Sequence, residues 1–338
     1  MRSLRIATLN CLNLALPGRR FYPGNEPYGP DEYIAKTQWL ATMLDRLAAD
    51  VVLVQEIFHE PALSDVVRQC ASGAKAWSLS VPFADQTGDK PRLGLIWRSA
   101  LHPQLDSIVD LPRGQAVMVP DKGEHAQFSR PLLRARLDLP DVAGGTTLTL
   151  LNVHLKSRRP EYLDGEDRSD PRLEARAQLR SLVMRGAEAA ALRTIVVDAT
   201  RGAHTPLIVG GDFNDDVRSV TTQMVADTSW KPDDRPQREH VLFDAVEVER
   251  RLSPGRGRDI AYTILHGGEP ERIDQVLVSE EFVSQSRHAI GYIADVSILN
   301  DHLIERRRAP NGGAGGAAPG LGRIYSDHAA LAVTLVFN

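Results

Sequence analysis

The stretch LIVGGDFNDD runs from Leu207 to Asp216, and its reading decides the fold. An apolar run of buried-strand type drives into Gly210-Gly211, then crowds Asp212, Asn214, Asp215 and Asp216 together. Carboxylates that close repel and raise one another's pKa. A bound cation or a charged substrate offsets such repulsion. The pattern therefore places chemistry at the mouth of a strand and directs attention to other strand ends.

Strand-like segments recur outward from it in both directions: LRIATLN, DVVLVQE, RLGLIWR, LLRARLDL, TLTLLNVHL, RIDQVLVS and LAVTLVF. Several are apolar on both faces, as central strands covered on each side are. LLRARLDL alternates, as a half-exposed strand does. Helical patterns lie between them. Residues 31–49 space Ile34, Trp39, Leu40, Met43, Leu44 and Leu47 on one face. Further helices are expected over 61–70, over 171–203 behind the cap Asp170-Pro171, and from Asp215 toward Asp227. No internal repeat and no boundary divides the chain, so a single domain over residues 1–338 is expected. Two layers of mixed β-sheet with helices outside fit this order. Loops at 17–30, 228–240 and 305–323 are rich in proline, glycine or polar residues.

A net charge of −4 leaves no strong global field, so any polyanion site must be local. The only cysteines, Cys11 and Cys70, read as buried free thiols, with no disulfide framework and no cysteine-based zinc pattern. No stretch approaches the roughly 18 apolar residues of a membrane span. The amino terminus enters a strand at once, without an apolar signal core, so a cytoplasmic location is expected.

Polar groups end apolar strands at Asn10, Glu56, His154, Asp212 with Asn214, and Asp327 with His328, while Asp274 begins one. Strands bring such ends together along one sheet edge. Glu56, Asp212 and Asp327 are hard oxygen donors, and Asn10 and Asn214 add amide oxygens. That set suits Mg²⁺, Mn²⁺ or Ca²⁺ better than zinc. Two histidines beside carboxylates titrate near neutral pH. A hard cation with acid and base groups is equipment for displacement at phosphorus.

With TLN, QE, GDFN and a terminal SDH in this order from Asn10 to His328, the chain resembles the endonuclease/exonuclease/phosphatase superfamily. The resemblance implies an α/β fold, a four-layered sandwich with two central mixed β-sheets flanked by helices. It implies a metal site at Glu56 and Asn10, with Asp327 as the remaining acid near the metal. It makes Asp212 the group that orients or deprotonates the attacking water, and Asn214 a holder of the phosphate oxygen and the nucleophile. His328 would contact the phosphate, oriented by Asp274. His154 would serve the leaving oxygen, and Arg130 would contact phosphate. In the pancreatic branch an acid pairs with the histidine matched by His154; here its counterpart falls near GDKPRLGLIW, where only Asp89 is acidic and the alignment favours Pro91, a departure from the family.

The function expected is divalent-metal-dependent hydrolysis of phosphodiesters, foremost a nuclease on DNA or RNA with Mg²⁺ as cofactor. Lys156, Arg158 and Arg159 past a catalytic strand could hold flanking phosphates. Arg19 and Arg20 beside Phe21 and Tyr22 could place rings against bases. The alternatives are a phosphatase or phosphodiesterase on a small-molecule, inositol or phospholipid ester, and a non-catalytic phosphate-binding protein. No protein partner is inferable.

Overall fold

A computed structural model describes residues 3–22, 24–82, 89–142, 145–202, 204–227, 238–252, 261–308 and 322–338. Most of the expected loops at 228–240 and 305–323 lies outside these residues. Strands β1 (Ser3–Leu14), β2 (Val51–Ile57), β3 (Trp77–Ser80), β4 (Arg92–Arg98) and β5 (Gln104–Asp110) come first. A short hairpin follows, β6 (Val117–Val119) and β7 (Gly123–His125). Then come β8 (Gln127–Leu139), β9 (Thr146–His154), β10 (Leu207–Asp212) and β11 (Phe243–Asp244). A second hairpin, β12 (Ile264–His266) and β13 (Glu269–Glu271), precedes β14 (Asp274–Val278), β15 (Gly291–Leu299) and β16 (Ala330–Phe337). The helices are α1 (Pro30–Leu47), α2 (Glu60–Gln69), α3 (Pro171–Thr200), α4 (Val220–Ala226), α5 (Ala245–Leu252) and α6 (Asp301–Arg308).

The longer strands form two six-stranded sheets, ordered β15-β16-β1-β2-β4-β3 and β11-β14-β10-β9-β8-β5. Each holds one parallel pair at its centre, β1 with β2 and β9 with β10. The sheets pack face to face. Ile6, Leu53 and Leu95 of the first meet Leu133, Leu150, Ile208 and Val276 of the second. The outer face of the first sheet packs Leu9, Val52 and Val54 against Leu40, Leu44, Leu63 and Val66 of α1 and α2. The outer face of the second packs Leu151, Val153 and Val209 against Ala191, Leu192 and Val196 of α3. Burial of each such side chain is worth roughly 1.5–3 kcal/mol, against about 0–1 for a surface ion pair. The three apolar interfaces therefore hold the layers.

The Gly-Gly pair ahead of Asp212 has a packing cause. A Cβ on Gly210 would stand 2.6 Å from Leu53 Cδ1 in the facing sheet. One on Gly211, whose φ is +142°, would stand 2.0 Å from the Val153 carbonyl oxygen. Close by, a polar bridge fixes the sheets against each other. Buried Gln55 donates to Asn152 Oδ1 at 2.8 Å, and Asn152 donates back to the carbonyls of Val54 and Gly94.

Some local expectations are corrected. Ile34 is 50% exposed, because the buried stripe of α1 runs through Tyr33, Lys36, Thr37, Leu40, Met43, Leu44 and Leu47. The helix after Asp215 begins only at Val220, capped by Ser219, so Asp215 and Asp216 lie in the preceding loop. Asp215 there accepts from Arg185 Nε at 3.0 Å and Thr221 Oγ1 at 2.7 Å. Asp327 and His328 precede β16 rather than ending a strand. The cysteines are free and buried as expected.

Candidate active site

Strand direction assembles the site. β1, β2, β9 and β10 aim their carboxyl ends at one edge, bringing Asn10, Glu56, His154 and Asp212 there. β14 and β16 run antiparallel to β10 and β1, so this edge receives their beginnings instead. Asp274 opens β14 and pairs with Asp212 in register. His328 lies two residues ahead of β16. Residues from both sheets thus meet at one mouth.

Asp212 is the hub. Its Oδ1 accepts from the Asn214 backbone N–H at 2.8 Å, and its Oδ2 accepts from Asn10 Nδ2 at 3.1 Å. His154 Nε2 stands 3.5 Å from Oδ2, and His328 Nε2 stands 4.0 Å from it. Burial pushes the Asp212 carboxyl up to about 7, with Asp274 and Glu56 adding to the rise and His328 opposing it. A base poised near 7 suits proton abstraction at neutral pH.

The two imidazoles differ. Burial disfavours a charged His328, but Asp274 and Asp212 outweigh it and hold its pKa well above 6.5. Asp274 Oδ2 meets His328 Nδ1 at 2.8 Å, which turns Nε2 toward Asp212. Burial drives His154 well below 6.5, and the charges of Arg130, His328 and Lys156 push the same way. One ring is therefore a fixed cation and the other neutral. Among the described residues His154 Nδ1 is buried without a hydrogen-bond partner, as expected where Pro91 rather than an acid stands at the matching position.

Glu56 occupies a strained backbone position, φ +62°, where β2 slips register between Val54 and Ile57. Such a bulge re-aims a side chain. Its Oε1 accepts from Asn10 Nδ2 at 3.3 Å and its Oε2 from the Asn13 N–H at 2.9 Å. Among the described residues the oxygens Asn13 Oδ1 and Asp327 Oδ1 are buried and have no hydrogen-bond partner. Unclaimed oxygens beside two carboxylates fit a hard dication. Asp212, Asp274 and His328 form the tightest cluster at the mouth, with donor atoms within 4.8 Å of one another. The short Asp274–His328 bond makes Asp274 an orienting group within it.

The flanking cations are mostly engaged. Arg130 donates to the Leu155 carbonyl at 3.2 Å, and its charge opposes the rise that burial gives the Tyr22 hydroxyl. Lys156 Nζ lies 3.0 Å from Glu161. Arg158 pairs with Glu271 and donates to the Asn214 carbonyl at 3.1 Å. Asn214, at φ +52°, donates its amide to the Leu155 carbonyl at 2.9 Å. In the 17–30 loop Phe21 is buried, stacked on Tyr28, while Tyr22 stays half-buried against Phe58.

Two groups escaped the sequence reading. Lys36 is buried, donates to the Arg323 carbonyl at 2.9 Å, and is lowered to about 8 by burial, an effect Cys11, Glu56 and Asp327 oppose. Glu188 is buried in α3 and accepts from Ser129 N, Ser129 Oγ and Lys156 N. It ties the segment carrying Arg130 to the one after His154. The available signal was a carboxylate among the alanines of a helical face that also buries Arg180 and Arg185.

Residues 7–328 match the pattern of the "Endonuclease/Exonuclease/phosphatase family". No curated protein sequence matches the chain significantly. Among solved structures, the human Nocturnin catalytic domain with bound sulfate superposes with a TM-score of 0.55 at 15% identity, covering 100% of this chain and 96% of that one. A mannosyl-6-phosphatase from Bacteroides thetaiotaomicron superposes at 0.53 with 16% identity, covering 99% and 100%. A humanized D. rerio TDP2 superposes at 0.52 with 14% identity, covering 98% of each chain. At these identities the structures speak for the fold, and the match over residues 7–328 carries the assignment. The chain belongs to the endonuclease/exonuclease/phosphatase family and is a phosphoric ester hydrolase.

Proposed function

We propose that the protein is a divalent-metal-dependent phosphodiesterase, acting on DNA or RNA, with its catalytic machinery in one domain spanning the chain. The observation that carries this reading is the Asp212 hub: a buried carboxyl raised to about 7, flanked by one cationic and one neutral imidazole.

Asp212 takes a proton from the attacking water, and the Asn214 N–H and Asn10 amide hold that carboxylate in place. His328, kept charged by Asp274, binds a non-bridging phosphate oxygen through Nε2. His154 is neutral, so it serves the leaving oxygen as a hydrogen-bond donor rather than as a stored imidazolium. Arg130 adds positive charge on the His154 side. Glu56, Asn10, Asp327 and Asn13 would hold the dication, Mg²⁺ or in its place Mn²⁺ or Ca²⁺, which supplies charge neutralisation at the phosphoryl oxygens. Acid–base help of about 10²- to 10⁴-fold is insufficient alone, so fixed charges must supply the rest.

A second reading, hydrolysis of a small phosphate ester, is favoured by Lys156 and Arg158, whose charges are met by Glu161 and Glu271 rather than offered to a polymer. The structural neighbour named a mannosyl-6-phosphatase is consistent with such a substrate on this fold. Purified protein with Mg²⁺ is assayed on plasmid DNA, single strands, RNA, bis-p-nitrophenyl phosphate and sugar phosphates. Cleavage of the diesters supports the first reading; turnover of monoesters alone replaces it with the second.

A further inference from the structure

The far pole of the second sheet carries a second cluster of metal-ligating side chains. His204 lies just before β10, whose other end is Asp212. Glu280 and Glu281 follow β14, whose other end is Asp274. His288 lies in the turn leading to β15. Five or six strand residues separate this group from the catalytic mouth, roughly 17–20 Å at 3.3 Å each. It is therefore a distinct place on the molecule.

Ligand atoms of His204, Glu280 and His288 lie within 4.8 Å of one another. His204 Nδ1 is 4.0 Å from Glu280 Oε1 and 3.9 Å from Glu281 Oε1. Both glutamates are buried, at 3% and 2% exposure, while the His204 side chain is 47% exposed and gives access from solvent. The two imidazoles stack at 3.8 Å with planes 14° apart, so one ion lies in both ring planes only after the exposed His204 ring turns out of the stack. Arg287 donates to His288 Nε2 at 3.2 Å, which leaves that nitrogen presenting a lone pair, the form a metal requires. Ser286 Oγ donates to Glu280 Oε2 at 3.0 Å and holds that carboxylate in place, as supporting hydrogen bonds do at metal sites.

The geometry points to a site for a borderline transition-metal ion, Zn²⁺ by donor set, formed by His204, His288 and Glu280, with Glu281 beside His204 as a further carboxylate. Two imidazole nitrogens and two carboxylates suit Zn²⁺, Ni²⁺ or Cu²⁺, whereas the oxygen donors at the mouth suit Mg²⁺. Bond lengths near 2.0–2.2 Å put tetrahedral ligand atoms about 3.4 Å apart, so binding draws His204 and the glutamates in from 3.9–4.0 Å and rotates the His204 ring away from His288. Arg287 swings into solvent as the cation takes the lone pair. The ion would clasp three connections at this pole: the segment before β10, the turn after β14 and the turn before β15.

The test uses full-length protein stripped with a chelator, dialysed and saturated with Mg²⁺, then titrated with ZnCl₂. Bound zinc is counted by elemental analysis and thermal unfolding is followed. The expected result is one more zinc per chain in the parent than in the His204→Ala/His288→Ala variant, with a rise in Tm that only the parent shows. Mg²⁺-dependent esterase activity of that variant should match the parent, which verifies its fold. Equal zinc counts in the two proteins, or no zinc retained by either, would overturn the site. Zinc held only at the catalytic mouth registers as equal counts and overturns it as well.

Discussion

Asp212 carries opposite demands at the level of the single residue. Its carboxyl is raised by burial, so protonation is stabilising and ionisation is costly. Stability from this group is present below its ordinary 3.8 and is lost as pH rises through about 7. Asp212→Asn removes the buried charge and should raise stability at pH 8 by roughly 1–3 kcal/mol in metal-free protein. It should also cut kcat by about 10²- to 10⁴-fold. Urea melts and initial rates check both. His328 has a raised pKa as well, so its stabilisation is complete below 6.5 and is lost as pH climbs past the folded value. Asp274→Asn removes the charge that holds it up. The alkaline limb of the kcat/KM profile should then move to lower pH, and the acid limb, set by Asp212, should fall as well, because Asp274 also pushes that carboxyl up. An unmoved alkaline limb would contradict the assignment of His328 as the cation.

Elements decide which side chains reach the mouth. Gly211 sits where any Cβ would run into the Val153 carbonyl, and its φ of +142° excludes other residues. Gly211→Ala should destabilise by at least about 2 kcal/mol, as overpacking does, measured by denaturant unfolding. Glu188 organises a helix-to-strand junction. Glu188→Gln leaves one of its donors unmet, so a loss of about 1–3 kcal/mol is expected, together with a raised KM as Arg130 loses its anchor. At this scale much was legible. Eight strand segments, the long helix behind Asp170-Pro171 and the alternation of LLRARLDL follow from periodicity and caps, which are local. The bulge that turns Glu56 inward was not legible, because it arises from register against β1 and β4. Nor was the direction of the SDH segment, since the sequence shows that a strand adjoins His328 but only sheet pairing shows which way it runs. Ile34 misled for a related reason: Lys36 and Thr37 occupy the buried stripe that an apolar residue would be expected to fill.

At the scale of the whole molecule, residues nearly 320 positions apart meet because the sheets stack and their central strands share an edge. Ser326 Oγ donates to the Asn10 carbonyl at 2.7 Å, so the two ends of the motif series touch directly. The order of the motifs was legible; the electrostatics between them were not, because burial depends on the assembled layers. The net charge of −4 and the pairing of Lys156 and Arg158 limit how many phosphates the surface can hold. If the substrate is nucleic acid, log(kcat/KM) should fall with log[salt] at a slope of only about −1 to −2, the value for one or two phosphate contacts. A slope near −5 would show a polyanion track that these ion pairs do not offer.

One dication-dependent centre, built around Asp212 from both sheets, is proposed to hydrolyse phosphoric esters. Its most direct measurement is hydrolysis of bis-p-nitrophenyl phosphate by the parent and by Asp212→Asn, each with Mg²⁺ and with excess chelator. Turnover is expected only in the parent with Mg²⁺, lost under chelator and restored when Mg²⁺ is returned. Undiminished turnover in Asp212→Asn, or in the parent under chelator, would contradict it.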